Sequence, residues 1–226
     1  MTSAQTSPGP RRALVVRGGW DGHVPVEATD RYVPVLESQG FDVTVSDTLD
    51  SYLDADALAA TDLIVNCWTM GTITGDQARG LAGAVAAGTG LAGWHGGIVD
   101  SFRDQTLYQL MTGGQFVHHP RGFVEYQVDI VPARSDHPIV AGLGSFSVTT
   151  EQYYLHVDPS NDVLATTAYI DDPDVPGLVG RLTPVVWTRL WGAGRVFVNA
   201  IGHKMDDFDV PEVDAIITRG FAWASR

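Results

Sequence analysis

The sequence predicts an α/β fold, a doubly wound parallel sheet extended by antiparallel strands, and three observations carry that prediction. Strand-like and helix-like segments alternate with short connections from residue 13 to residue 95. One segment, Asp62 to Cys67, is a mostly apolar run of the kind that parallel sheets cover on both faces. Beyond residue 120 the chain turns strand-rich, with Pro, Gly and Asp between the segments.

In chain order, Ala13 to Arg17 reads as the first strand, followed by the loop Gly18-Gly19-Trp20-Asp21-Gly22-His23. That loop lacks the spacings of a nucleotide-binding loop and carries a bulky Trp. Val26 to Gln39 puts Ala28, Tyr32, Val35 and Leu36 on one helical face, with a kink expected at Pro34 and a stop at Gly40. Asp42 to Ser46 is the second strand and Asp62 to Cys67 the third. Thr74-Gly75-Asp76-Gln77 has capping-box spacing for a helix running to about Ala87. Gly90 to His95 is the fourth strand, and Asp104 to Met111 a short helix. Val124 to Val131, Phe146 to Thr150, Asp162 to Ile170, Pro184 to Leu190 and Arg195 to Ile201 are expected as antiparallel strands. Asp136-His137-Pro138-Ile139 reads as a turn that starts a strand. A last helix runs from Pro211 to about Ala224, capped by Asp209, with Val213, Ile216, Ile217 and Phe221 as its buried stripe.

Composition narrows the function classes. With 226 residues and 44% hydrophobic content the chain can form one domain, 13–226, behind a polar, disordered tail over residues 1–12. The 27 acidic residues outnumber 14 scattered basic ones, for a formal charge of -13, so nucleic acid and anionic membranes are not expected partners. No apolar run approaches the roughly 20 residues that span a bilayer, and a cytoplasmic location is expected. The single cysteine, Cys67, lies in an apolar run and reads as a buried packing residue.

Chemistry is expected at the carboxyl ends of the strands, where ligand sites gather in open α/β sheets. Gly93-Trp94-His95-Gly96-Gly97 has the outline of a sharp strand-to-helix elbow with imidazole at its apex; a structural turn with an incidental histidine is the competing reading. Five of the seven histidines, His23, His95, His118, His119 and His203, sit at strand ends or in glycine-rich loops, together with Asp21, Glu151 and Asp206. Such a set can move protons near neutral pH or bind a divalent metal. His118 and His119 are adjacent, so in an extended segment only one faces a common pocket. Trp20, Trp68 and Trp94 also sit at strand ends and suit stacking on a sugar ring, with Asp21 and His23 as polar neighbours.

Gly93-Trp94-His95-Gly96-Gly97, Gly114-Gln115-Phe116 with His119-Pro120, His137-Pro138-Ile139, Glu151-Gln152-Tyr153, Pro184-Val185 with Trp187, Gly194-Arg195-Val196-Phe197 and Gly202-His203 occur in this order. In these motifs the chain resembles the trehalose-utilisation (ThuA-like) family. The resemblance implies a class I glutamine-amidotransferase-like, or flavodoxin-like, three-layer sandwich. It also implies a carbohydrate substrate and a sugar dehydrogenase making 3-keto sugars in the same pathway. An amidotransferase needs a thiolate at the elbow, where this chain has His95, so glutamine hydrolysis is not expected.

The leading expectation is proton abstraction beside the carbonyl of an oxidised sugar, of isomerase or lyase type. His95 or Glu151 would be the base, with His119 and His203 polarising the carbonyl or returning the proton. No cofactor is required, and no local spacing enforces a metal site. A divalent metal such as zinc held by the same histidines is the alternative, giving metal-assisted hydrolysis. The other class is a non-catalytic sugar-binding or regulatory domain. A homo-oligomer is compatible with the sequence.

Overall fold

A computed structural model describes residues 9–173 and 175–226. The first half of the chain builds β1 (Arg11–Gly19), α1 (Pro25–Ser38), β2 (Phe41–Ser46), α2 (Ala55–Ala59), β3 (Leu63–Thr69), α3 (Gly75–Ala86), β4 (Gly90–Trp94) and α4 (Gly96–Val99). Of the expected tail over 1–12, residues 1–8 lie outside the described residues, and Arg11 and Arg12 already pair with Phe41 and Asp42 in the sheet. Helix α1 starts on Pro25, whose missing N–H is no loss in a first turn, and carries Pro34 within it. The capping box of α3 is formed: Gln77 N–H donates to Thr74 Oγ1 at 3.2 Å and Thr74 N–H to Gln77 Oε1 at 2.9 Å. The short α2 lacks an apolar period long enough to read, and Asp54 caps it by accepting from Ala57 N–H at 3.0 Å.

The second half builds α5 (Thr106–Thr112), β5 (Gly114–His118), β6 (Phe123–Ile130), β7 (Phe146–Glu151), β8 (Tyr154–Val157), β9 (Asp162–Ala168), β10 (Leu182–Trp191), β11 (Gly194–Asn199) and α6 (Pro211–Ala224). Nine strands form one sheet in the order β2-β1-β3-β4-β11-β10-β9-β6-β7, and β5 and β8 form a separate antiparallel pair. Helices α1 and α6 pack together on the sheet, while α2, α3 and α5 form a second helical group, giving three layers.

Three local expectations are corrected. Strand β11 is antiparallel only to β10; against β4 it runs parallel, with Val196 opposite Leu91. Its consecutive Val196, Phe197 and Val198 are all fully buried, as a strand covered on both faces requires. Asp209 does not cap α6: the N-cap is Val210, without a side-chain bond, and Asp209 Oδ1 accepts from Arg31 Nη1 at 2.8 Å. No strand follows His137. Turns do, burying Ile139 and Val140, and Ile139 N–H donates to His137 Nδ1 at 3.3 Å.

No helix among the described residues is long and apolar enough to cross a membrane.

Candidate active site

Five strand ends meet at one place. The loop after β1 carries His23, the turn after β4 carries His95, β5 leads to His119, β7 ends on Glu151, and the loop after β11 carries His203. His95 sits at φ 46° and ψ -140°, a conformation costly for a residue with a Cβ, and its N–H is held by Asn199 O at 2.6 Å. The glycines after it are required by close approach. A Cβ on Gly96 would lie 2.2 Å from His23 Nδ1, and one on Gly97 would lie 2.9 Å from Cys67 Cα.

Glu151 is the hub. Its Oε2 lies 3.2 Å from His95 Nε2, 3.1 Å from His203 Nδ1 and 3.9 Å from His23 Nε2, and its Oε1 lies 3.5 Å from His119 Nε2. His23, His95, Glu151 and His203 are buried; His119 is half-buried. The remote nitrogens of two rings are fixed: His95 Nδ1 is 3.0 Å from Ala200 O, and His23 Nδ1 is 2.9 Å from Thr69 Oγ1. Tyr153 stacks on His95 with ring centres 4.1 Å apart.

Burial pushes the His95 imidazole down to about 4, although contact with Glu151 works the other way. Burial alone would raise the Glu151 carboxyl. The neighbouring His203, His23 and His95 outweigh it and hold this carboxyl well below the usual carboxylate range.

Around Glu151 lies a small cleft, walled by Trp20, Met70, Phe116 and Tyr153 and reached by His23, His119, Asp100 and Arg103. Its aromatic walls with a few convergent polar groups are the usual make-up of a small-molecule site.

Not every residue singled out in the sequence joins it. His118 is exposed and stacks on His119, so the pair divides as adjacent positions in a strand must. Trp94 is only 2% exposed, packed against Tyr32, Phe208 and Phe221, which corrects the expectation that it stacks on a sugar. Trp68 is half-buried against the core and away from the cleft lining, and Asp21 is exposed. Asp206 points outward, whereas its neighbour Asp207 is buried; Asp207 Oδ2 accepts from Thr150 Oγ1 at 2.6 Å and His203 N–H at 2.8 Å. Asp207 thus ties the Glu151 strand to the His203 loop, and no sequence signal separates it from Asp206. Sequence reasoning also missed Asp100 and Arg103, which form a two-pronged ion pair at 2.6 and 2.9 Å beside the cleft. Cys67 is buried, with burial pushing its thiol up to about 12, unlike an activated nucleophile.

Fold and site together define an α/β protein with a mostly parallel sheet extended by antiparallel strands and a histidine–glutamate cluster at the strand ends. The family model for ThuA, trehalose utilisation, matches residues 12–224, and the chain belongs to the ThuA family. Among solved structures, a ThuA-like protein from Bacteroides uniformis is similar at TM-score 0.77 and 18% identity, over 99% of this chain and 95% of the other. A ThuA-like protein from Parabacteroides merdae gives 0.75 and 18%, over 96% and 90%. A protein of Salmonella typhimurium LT2 described as cytoplasmic gives 0.68 and 15%, over 96% and 100%. These likenesses show the fold. No curated protein matches the chain.

Proposed function

We propose that this chain is an enzyme of carbohydrate metabolism that moves a proton at the carbon beside the carbonyl of an oxidised, 3-keto-type sugar. The observation that carries this reading is the pairing of His119 with Glu151 Oε1 in an aromatic cleft, backed by three buried imidazoles. His119 is the better base of the two. A carboxyl held far below its usual range takes a proton reluctantly, whereas the His119 imidazole lines the cleft where a substrate would sit. His95, the base expected from the motif, faces Glu151 rather than the cleft lining and is assigned to the cluster instead.

In the proposed step the His119 imidazole takes the proton from the α-carbon. The C–H electron pair becomes the new C=C bond, and the carbonyl π pair moves onto oxygen beside the buried cluster. For isomerisation, the proton of the α-carbon's hydroxyl passes to the enolate oxygen as the new carbonyl forms, and the carbon proton returns to the former carbonyl carbon; for elimination, the carbonyl re-forms as a β-substituent leaves with its bonding pair. Trp20 supplies the face for the sugar ring and the Asp100–Arg103 pair meets its hydroxyls. We take the compartment to be the cytoplasm, which the description of the Salmonella neighbour supports, and the supplier of substrate to be a sugar dehydrogenase, as the family assignment suggests.

A second reading, metal-assisted hydrolysis, is favoured by the three-histidine, one-carboxylate donor set. Incubation with 3-keto-trehalose in D₂O, followed by NMR, separates the two. Deuterium at the α-carbon supports proton abstraction. Glucose and 3-keto-glucose released without it support hydrolysis, and binding without either change leaves a sugar-binding domain.

A further inference from the structure

We infer that His23, His95, His203 and Glu151 form a binding site for one divalent transition-metal ion of the zinc class. Four facts about the donors point there.

First, one carboxylate oxygen, Glu151 Oε2, faces three imidazole nitrogens at 3.1, 3.2 and 3.9 Å. Around an ion bound tetrahedrally at about 2.0–2.1 Å, donor atoms stand roughly 3.3 Å apart. All four donor atoms already lie within 4.8 Å of one another.

Second, the tautomer of His95 is fixed by its partner. Ala200 O only accepts, so Nδ1 of His95 carries the hydrogen and the neutral ring turns an Nε2 lone pair toward the carboxylate. Two acceptors 3.2 Å apart need a positive centre between them.

Third, His203 Nδ1 is buried and only 3.1 Å from Glu151 Oε2, yet it makes no hydrogen bond among the described residues. Close but misaligned donors are what groups aimed at a common third point look like.

Fourth, the outer partners are of the kind that orient metal-binding imidazoles. A backbone carbonyl holds His95 and a threonine hydroxyl holds His23. Three nitrogens and one oxygen suit Zn²⁺, Co²⁺, Fe²⁺ or Mn²⁺ better than Ca²⁺ or Mg²⁺, which prefer all-oxygen sites. A divalent ion there would supply charge to polarise a carbonyl oxygen or acidify a water. With Glu151 Oε2 a ligand, His119 beside Oε1 remains the group that moves the proton.

This inference deepens the reading of the same site, and its test does not depend on turnover. Protein stripped with a chelator and dialysed is titrated with Co²⁺, read by visible absorption, and with Zn²⁺ by calorimetry. The expected result is one equivalent bound, with the intense visible bands of low-coordinate cobalt. His203→Gln should abolish the bands; Thr69→Val, which removes only the outer partner of His23, should weaken binding by about 10–100-fold. His118→Gln, outside the cluster, should change nothing. Absence of stoichiometric binding by the folded protein overturns the inference, as does binding unchanged in both His203→Gln and Thr69→Val. Metal binding without α-carbon exchange would sink the keto-sugar reading and leave the metal site standing. Exchange undiminished in chelated protein, with no stoichiometric metal binding, would do the reverse.

Discussion

Replacing Gly96 with alanine perturbs the site through a single added carbon. That Cβ would lie 2.2 Å from His23 Nδ1, 2.3 Å from its Cε1 and 3.2 Å from Thr69 Cγ2. To restore an ordinary contact of 3.4 Å the His23 ring must retreat by roughly 1.2 Å. It has little room, because His95 and His203 flank it with ring centres 4.7 Å away and Trp20 covers it at 4.8 Å. Overpacking of this kind costs about 1–3 kcal/mol, which in a chain of this size lowers Tm by roughly 2–12 °C. The functional loss should be larger than the stability loss suggests, since metal-donor distances tolerate only about 0.2 Å. Cobalt affinity and turnover should each fall by about 10–100-fold in a variant that still folds. Gly83→Ala is the control: its added Cβ meets no heavy atom within 4 Å, on an exposed stretch of α3, and should gain about 0.5–1 kcal/mol. A Gly96→Ala protein with wild-type Tm, cobalt affinity and turnover would refute the argument that glycine is there to admit His23.

Other outcomes follow from the same geometry. Because the folded-state value of His95 is depressed to about 4, the unfolded chain takes up a proton below about pH 6.5 that the folded chain refuses. Stability of the metal-stripped protein should therefore be full above about pH 6.5 and fall by about 3 kcal/mol toward pH 4; urea midpoints that stay flat over that range would contradict this. Glu151, also depressed, adds to the loss below the ordinary carboxylate range. Cys67→Ser should keep turnover while costing about 1–3 kcal/mol if the hydroxyl finds no partner, and a thousandfold loss in a folded variant would give the thiol a chemical role. Trp20→Ala should raise KM for the sugar about tenfold with kcat little changed, from about 1–2 kcal/mol of lost ring contact. Trp94→Ala should instead cost about 3–5 kcal/mol of stability, and the two melting curves tell cleft from core.

Much of the architecture was legible because its signals are local. The capping box of α3, the buried stripe of α6 and the apolar run of β3 are each written within a dozen residues. What stayed hidden depends on partners far away in the chain. The parallel seat of β11 beside β4 follows from burial on both faces, and the run Val196-Phe197-Val198 was the available signal. The site shows the same division. Clustered histidines at strand ends pointed to the right edge of the sheet, since topology alone sends those ends together. Which atoms meet is another matter. That Trp94 belongs to Tyr32 and Phe208, or that Asp207 rather than Asp206 turns inward, is settled by packing across more than fifty residues of sequence.

The position of β11 also sets the order in which the molecule can be completed. The strand lies in the middle of the sheet, between β4 and β10, yet among the described strands it comes last in the chain. Until residues 194–199 emerge, β4 keeps an open edge and the nascent chain holds two sheet fragments with no seam between them. Closing that seam late joins segments about a hundred residues apart, the kind of non-local pairing that makes folding slow and leaves sticky edges exposed in the meantime. His203 arrives later still. The stretch from β11 to His203 is thus the keystone of the sheet, and a chain that stops short of it has neither a continuous sheet nor the means to bring His203 to Glu151.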